Sequence, residues 1–128
     1  MPFRLRLKYW LPVAAWMWLI FQLSSYSISP GADFHLGDFL LKKSAHLGEY
    51  FVLSYLIYRS LTKTTRLSSP KIIFLTMALV ILYAASDEYH QSFVLGRTAR
   101  LRDVLIDTCG GAFAMLFRTK IDNMTAKD

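Results

Sequence analysis

The sequence predicts an all-α integral membrane protein in which four transmembrane helices form one bundle. Apolar residues make up 54% of the 128 residues, somewhat above the share that is usual in soluble proteins. They fall into blocks of roughly 17–22 residues separated by short polar segments, and a helix needs roughly 20 apolar residues to cross the hydrocarbon core. Because four blocks and their connections use the whole chain, we expect a single domain, residues 1–128, and no soluble domain.

Each predicted span is bounded by basic, polar or helix-breaking residues. The first span follows a basic stretch, as a signal peptide also would. Its length and its tryptophans favour a span that is retained. Residues 29–31 (Ser-Pro-Gly) break the chain after it, and Ser69 and Pro70 precede the third span. The four predicted spans cover about residues 9–28, 39–61, 72–93 and 101–117.

The net charge of +6 does not indicate a nucleic-acid partner. The basic residues cluster at the ends of the predicted helices, where they fix membrane topology. A basic face interleaved with aromatic residues on a soluble module, which nucleic-acid binding would require, is not seen. Cys109 is the single cysteine, so it has no partner for an internal disulfide. The sequence identifies no cofactor.

Lysine and arginine counts in the short loops predict that both termini are cytoplasmic. The N-terminus, residues 59–71 and the C-terminal tail are basic, whereas residues 29–41 contain no lysine or arginine. The basic loop at 94–101 is the exception, because this topology places it outside. Carboxylates beside this loop could pair with its arginines, which would account for the exception. They are Asp87, Glu88, Asp103 and Asp107.

This topology brings the polar intramembrane residues to one depth, in the outer leaflet. The second and fourth spans enter from outside, and the third leaves outward, so their polar segments meet. Helical spacing arranges them in three stripes, which we expect to face one cavity. The small residues at the end of the third stripe should let another helix approach closely. The stripes are Lys43, His46 and Tyr50; Asp87, His90 and Gln91; and Asp103, Asp107, Gly110 and Ala114.

An anionic ligand fits this arrangement best. A guanidinium group binds phosphate or carboxylate through two parallel hydrogen bonds, and Arg97 follows Gly96, which permits a tight turn. We expect Arg97 to bind the anion and Asp103 to orient the guanidinium group of Arg97. The candidate catalytic residues, as acids or bases, are His46, Glu49, Asp87, Glu88 and His90. The candidate ligand-binding residues are Lys43, Tyr50, Gln91, Arg97, Arg100, Asp103 and Asp107.

Three alternatives remain open. The first is a non-enzymatic structural or partner-binding membrane protein, in which the polar network only locks the helices together. The second alternative is a metal-dependent membrane hydrolase. Its basis is the two pairs His46-x-x-Glu49 and Asp87-x-x-His90, since helical bundles use pairs of this kind to hold two metals. Lys43 and the arginines would repel such cations, however, and we assign no metal ligand. Ser86 and His90, one turn apart, could form a nucleophile pair.

The motifs together resemble those of the VanZ-like family. They are Lys43-Ser-Ala-His46-Leu-Gly-Glu49-Tyr50, Ser86-Asp87-Glu88-Tyr-His90-Gln91, Gly96-Arg97 and Asp103-x-x-x-Asp107-x-x-Gly110-Gly111, and the resemblance covers roughly residues 24–117. Two departures from the family pattern stand out: Asp107 is often Asn in relatives, and Ala114 and Met115 stand where many have a further glycine. The resemblance implies a bacterial inner-membrane protein of a family linked to resistance to the glycopeptide teicoplanin. We therefore expect an envelope protein that binds an anionic lipid or lipid-linked wall precursor, with or without chemical modification of it.

Overall fold

The computed structural model describes residues 3–26 and 36–125, without the side chains of residues 5, 119 and 121–125. Within these ranges the chain is all-helical, as predicted, with four helices and no strand. The helices are α1 (Phe3–Ser24), α2 (Leu36–Thr64), α3 (Ser69–Gln91) and α4 (Leu101–Thr125). Helices α2 and α4 extend past the predicted spans because polar residues continue them. The predicted break at residues 29–31 lies outside the described residues.

One helix in the described part of the chain, α3, is long and apolar enough by length and composition to cross a membrane. Helices α2 and α4 are less apolar on average than α3, whereas α1 is nearly as apolar. Helix α1 begins among basic residues, and α2 and α4 contain the polar stripes seen in the sequence. The four-helix count is therefore confirmed, and membrane-spanning composition is found for α3.

Helices α1 and α2 run in opposite directions, and polar bonds join them at several levels. Near the start of α1, Ser60 of α2 donates its Oγ hydrogen to the carbonyl oxygen of Tyr9 at 2.7 Å. Farther along, Trp16 Nε1 donates to the carbonyl oxygen of Glu49 at 2.9 Å. Because the residue number falls in α2 as it rises in α1, the pair is antiparallel.

The remaining contacts complete an up-down-up-down bundle. Tyr83 donates its hydroxyl hydrogen to the carbonyl oxygen of Met17 at 2.5 Å, and Asp87 accepts from Ser24 farther along, so α3 runs parallel to α1. Lys43 pairs with Asp103 and His46 with Asp107, so α4 runs parallel to α2. Helices α2 and α3 contact each other and both other helices, whereas α1 and α4 do not meet within the described residues. The helices thus form a rhombus with α2 and α3 across its short diagonal, and the polar ends of all four lie at one end.

Two glycines set the separation between α2 and α4. A Cβ atom added to Gly110 would lie 3.2 Å from the carbonyl carbon and the Cα of Leu47. One added to Gly111 would lie 2.9 Å from Cγ1 of Val80 on α3. Ser54 Oγ also donates to the carbonyl oxygen of Gly111 at 3.0 Å. The predicted close approach of another helix at Gly110 is confirmed, and it brings the turn before it, with Asp107, against α2.

Candidate cavity and polar cluster

A cavity of about 300 Å³ lies at the polar end of the bundle. Helices α2 and α4 begin there, α3 ends there, and the loop of residues 92–100 closes one side. The wall of the cavity contains five lysine or arginine side chains and two carboxylates. The lining residues are Phe39, Lys42, Lys43, His46, Glu88, Gln91, Gly96, Arg97, Thr98, Arg100, Arg102 and Asp103.

The loop of residues 92–100 is held in place largely by its backbone. Gly96 has φ of 79°, a left-handed conformation that residues with a Cβ rarely adopt. The Arg97 amide donates to the carbonyl oxygen of Val94 at 3.1 Å and closes the turn. The carboxylate of Glu88 on α3 accepts the Arg100 backbone N–H at 2.6 Å. Arg100 thus holds the loop through its backbone, and its side chain takes no part in these bonds.

Arg97 and Asp103 have different partners from those the sequence suggested. Arg97 Nε donates to the carbonyl oxygen of Tyr26, at the end of α1, at 3.2 Å. Asp103 pairs with Lys43, and Arg102 Nε lies 4.0 Å from the same carboxylate oxygen. The expectation that Asp103 orients Arg97 is therefore wrong. Lys43 faces Asp103 from the parallel helix, whereas the turn at Gly96 directs Arg97 toward α1.

Deeper in the bundle, Asp87 accepts hydrogen bonds from three helices. Ser24 Oγ of α1 donates to Oδ1 at 2.5 Å. Tyr50 of α2 donates to Oδ2 at 3.3 Å, and Gln91 Nε2 donates to the same atom at 3.2 Å. Gln91 also donates to Ser24 Oγ at 3.0 Å. Every one of these donors is neutral, so the carboxylate is satisfied by hydrogen bonds without a paired cation.

His46 and Asp107 lie next to this network. Nδ1 of His46 is 3.4 Å from Oδ1 of Asp107. One ligand atom from each of His46, Asp87 and Asp107 lies within 4.8 Å of the others. His46 also lines the cavity, so it connects the cavity with the buried cluster.

His90 and Glu49 lie apart from that cluster. His90 Nε2 is 3.0 Å from Ser25 Oγ, whose own hydrogen is donated to the carbonyl oxygen of Phe21. The serine oxygen must then accept, so we place the hydrogen of His90 on Nε2. The Glu49 carboxylate is half-buried and has no hydrogen bond within the described residues. The two i, i+3 pairs proposed for a metal site therefore do not form one together; the cluster takes one member of each and adds Asp107.

A family model described as VanZ/LLP1 matches residues 9–120. The chain belongs to the VanZ-like family. The match runs from the first turns of α1 into α4, so the family unit includes the whole bundle rather than the polar motifs alone. Membership connects the chain with a membrane-associated family that is linked to glycopeptide resistance. No curated protein and no solved structure shows significant similarity to it.

The twelve candidate catalytic and ligand-binding residues divide into two groups in the structure. Seven of the twelve candidates line the cavity: Lys43, His46, Glu88, Gln91, Arg97, Arg100 and Asp103. The others lie outside the wall, in or beside the buried network: Glu49, Tyr50, Asp87, His90 and Asp107. The sequence motif thus contains both a solvent-accessible wall and the polar layer that supports it.

Sequence reasoning missed the part that α1 plays. Ser24 and Ser25 bind Asp87 and His90 respectively, although neither serine was a candidate. A signal was present, because Gln22, Ser24 and Ser25 interrupt the apolar run of the first span at the depth of the other polar stripes. Lys42, which could equally be an interfacial lysine, also lines the cavity.

Proposed function

We propose that this VanZ-like protein crosses the bacterial inner membrane four times and binds an anionic headgroup in its polar cavity. The ligand would be an anionic lipid or a lipid-linked precursor of the cell wall. Both termini would be cytoplasmic, which puts the cavity in the outer leaflet. The observation that carries the proposal is the excess of cationic side chains in the cavity wall.

The surface of the bundle supports a membrane location. Large apolar side chains are exposed on all four helices, whereas soluble monomers rarely expose large continuous apolar patches. In α3, only 22% of the most apolar stretch is buried inside the protein. Lipid tails would cover such surfaces. Examples are Leu11, Trp18 and Phe21 of α1; Leu40, Leu41 and Tyr55 of α2; Phe74, Leu82 and Tyr89 of α3; and Leu105, Phe113 and Leu116 of α4.

The charges of the cavity favour an anion with several oxygens. Five basic side chains line it against two carboxylates, and one of the carboxylates, Asp103, already pairs with Lys43. Nε of Arg97 is used by the Tyr26 carbonyl, which leaves its two terminal nitrogens for a ligand. Guanidinium groups match phosphate oxygens in geometry as well as in charge. A cavity of about 300 Å³ accommodates a headgroup, while the acyl or prenyl chain would remain in the bilayer.

A structural role is the better proposal for the layer beneath the cavity. The hydrogen bonds of Asp87 join α1, α2 and α3, and the side chain is 4% exposed. Fully satisfied polar networks of this kind rigidify a core and specify one packing. We assign headgroup binding to the cavity wall and helix locking to the hydrogen bonds that Asp87 accepts.

Headgroup binding is tested with the full chain purified in detergent and titrated separately with three lipids. They are a polyprenyl phosphate, phosphatidylglycerol and zwitterionic phosphatidylcholine. Native mass spectrometry counts the bound lipid, and microscale thermophoresis gives the affinity. We expect one anionic lipid per chain and little phosphatidylcholine. Inorganic phosphate is titrated as well, to separate recognition of the phosphate from recognition of the lipid chain.

Arg97→Ala should weaken binding of the anionic lipid roughly 10- to 150-fold, because loss of a charge-assisted hydrogen bond amounts to about 1.5–3 kcal/mol. Arg97→Lys should weaken it nearly as much, since an ammonium group keeps the charge and loses the planar fork. Arg66→Ala is the matched control: it removes an exposed arginine between α2 and α3, at the opposite end of the bundle. Equal losses in the Arg97 and Arg66 variants would contradict the cavity as the binding site.

A further inference from the structure

We propose that His46, Asp87 and Asp107 form a binding site for one divalent transition metal ion, with Zn²⁺ as the ion that fits best. The site lies below the cavity and is independent of the proposed headgroup binding. It draws one ligand from α2, one from α3 and one from α4. No ligand lies close to another in the sequence, so the fold alone brings them together.

The separation between the His46 and Asp107 ligand atoms matches that of two ligands on one metal ion. Nδ1 of His46 and Oδ1 of Asp107 are 3.4 Å apart, beyond the range of about 2.7–3.2 Å for an N–H···O hydrogen bond. Two ligand atoms on a tetrahedral zinc ion, each about 2.0–2.2 Å from the metal, lie roughly 3.3–3.6 Å apart. Asp87 needs only a small movement to join them, because all three ligand atoms lie within 4.8 Å of one another.

The surroundings of Asp87 match those of a metal-bound carboxylate. An ionised carboxylate has about four lone-pair positions. Ser24, Tyr50 and Gln91 donate to three of them, which leaves about one for a metal. Hydrogen bonds to the ligands are a general feature of metal sites, because they fix the orientation of each ligand.

The local charge also favours binding of a cation. Asp87 and Asp107 are 4% and 3% exposed, and their carboxylates lie close together. Within the described residues the only partner of Asp107 is His46. The nearby Lys43 is paired with Asp103. Two ionised carboxylates buried beside one imidazole are unfavourable, and uptake of a proton or binding of a cation relieves this charge. A divalent ion does so and satisfies the unpaired oxygen of Asp107.

The donor types favour zinc within the divalent series. Imidazole nitrogen and carboxylate oxygen are both zinc donors, and zinc sites with three protein ligands hold water or another ligand in the fourth position. Magnesium and calcium prefer all-oxygen sites. His46 lines the cavity as well, so the fourth position would lie near the route from the cavity into the cluster.

The metal alone is the probe, so the experiment requires no lipid. The full chain in detergent is freed of metal with EDTA, equilibrated with Zn²⁺ and desalted. Inductively coupled plasma mass spectrometry then measures the zinc bound per chain. Isothermal titration gives the affinity. We expect about one zinc per chain and a higher melting temperature when zinc is present. Failure of the unaltered chain to retain zinc would overturn the proposal, whatever its affinity for lipids.

His46→Gln and Asp107→Asn should each weaken zinc binding at least tenfold and abolish the zinc-dependent rise in melting temperature. His90→Gln is the matched control, because His90 contacts Ser25 and Phe21 outside the cluster. Unchanged zinc binding in the first two variants would contradict the site. Should either variant fail to fold, Co²⁺ absorption of the unaltered chain still decides: bands of tetrahedral coordination with nitrogen and oxygen ligands are expected, and their absence would refute it.

Discussion

At the scale of single residues, Asp87 is the point at which three helices meet. Its carboxylate accepts hydrogen bonds from Ser24, Tyr50 and Gln91. If any one donor is removed, the others still hold the carboxylate, so the network should lose stability in small steps. If the carboxylate is removed, buried donors lose their acceptor, which is a larger penalty.

Tyr50→Phe should lower the free energy of unfolding by about 1 kcal/mol. This is less than the roughly 1.5–3 kcal/mol of a hydrogen bond to a charged group, because the 3.3 Å separation between the Tyr50 hydroxyl and Asp87 is long for an O–H···O bond. The ring is fully buried, and it keeps its packing in the variant, so the effect isolates the hydroxyl group. Thermal and denaturant unfolding in detergent measure it. Tyr55→Phe on the same helix is the control, because Tyr55 is exposed and its hydroxyl should contribute nothing measurable. A loss of the same size in both variants would show that the Asp87 bond is not the cause.

The residue scale is also where sequence reasoning reached its limit. The spacing placed His46, Asp87 and Asp107 on inward stripes, and the structure brings all three together. Spacing alone could not decide partners, because several cations and carboxylates lie within reach of one another at the same depth. Asp103 therefore paired with Lys43 instead of Arg97. The partner of Arg97 is a backbone carbonyl, which no pattern of side chains reveals.

At the scale of helices, the contact between α2 and α4 controls the geometry of the site. Gly110 lies against the backbone of Leu47, and Asp107 lies one turn before it, opposite His46. A wider separation at Gly110 would pull the carboxylate away from the imidazole. The small-residue pattern predicted a close approach in this region, but it could not identify the partner helix, which depends on the packing of the whole bundle.

Gly110→Ala should destabilise the protein by about 1–3 kcal/mol, because its Cβ would meet backbone atoms that cannot move independently of α2. Gly48→Ala provides the contrast. It lies within α2 with nothing within 4 Å of an added Cβ, so alanine should raise stability by about 0.5–1 kcal/mol. Unfolding in detergent measures both. If Gly110→Ala is as stable as Gly48→Ala, the close approach is not required for the fold.

At the scale of the whole molecule, the convergence of polar residues at one end follows from the alternation of helix directions. Hydropathy and loop charge were enough to predict that alternation, and the up-down-up-down order agrees with it. Among the described residues, however, α3 alone is long and apolar enough by hydropathy to cross a membrane. For α2 and α4 the discrepancy has a physical cause, since the polar residues with which they line the cavity make these helices less apolar on average.

Reporter fusions test the proposed topology. Fusions after Lys63 and after Asp128 should be fluorescent with green fluorescent protein and inactive with alkaline phosphatase, because we expect both positions in the cytoplasm. An alkaline phosphatase fusion within residues 92–100 should be active. Phosphatase activity at Lys63 or at Asp128 would reverse or break the predicted topology and would remove the cavity from the outer leaflet.

The attachment of the loop at residues 92–100 bears on how this protein can diversify. Glu88 holds the loop through the main-chain N–H of position 100, so any residue except proline can stand there without loss of that bond. The side chain at this position lines the cavity, and among the described residues it makes none of the bonds that hold the loop. Substitutions there can alter ligand preference with little effect on stability. We expect related chains to vary their choice of ligand first at this position, and protein engineers can begin there too.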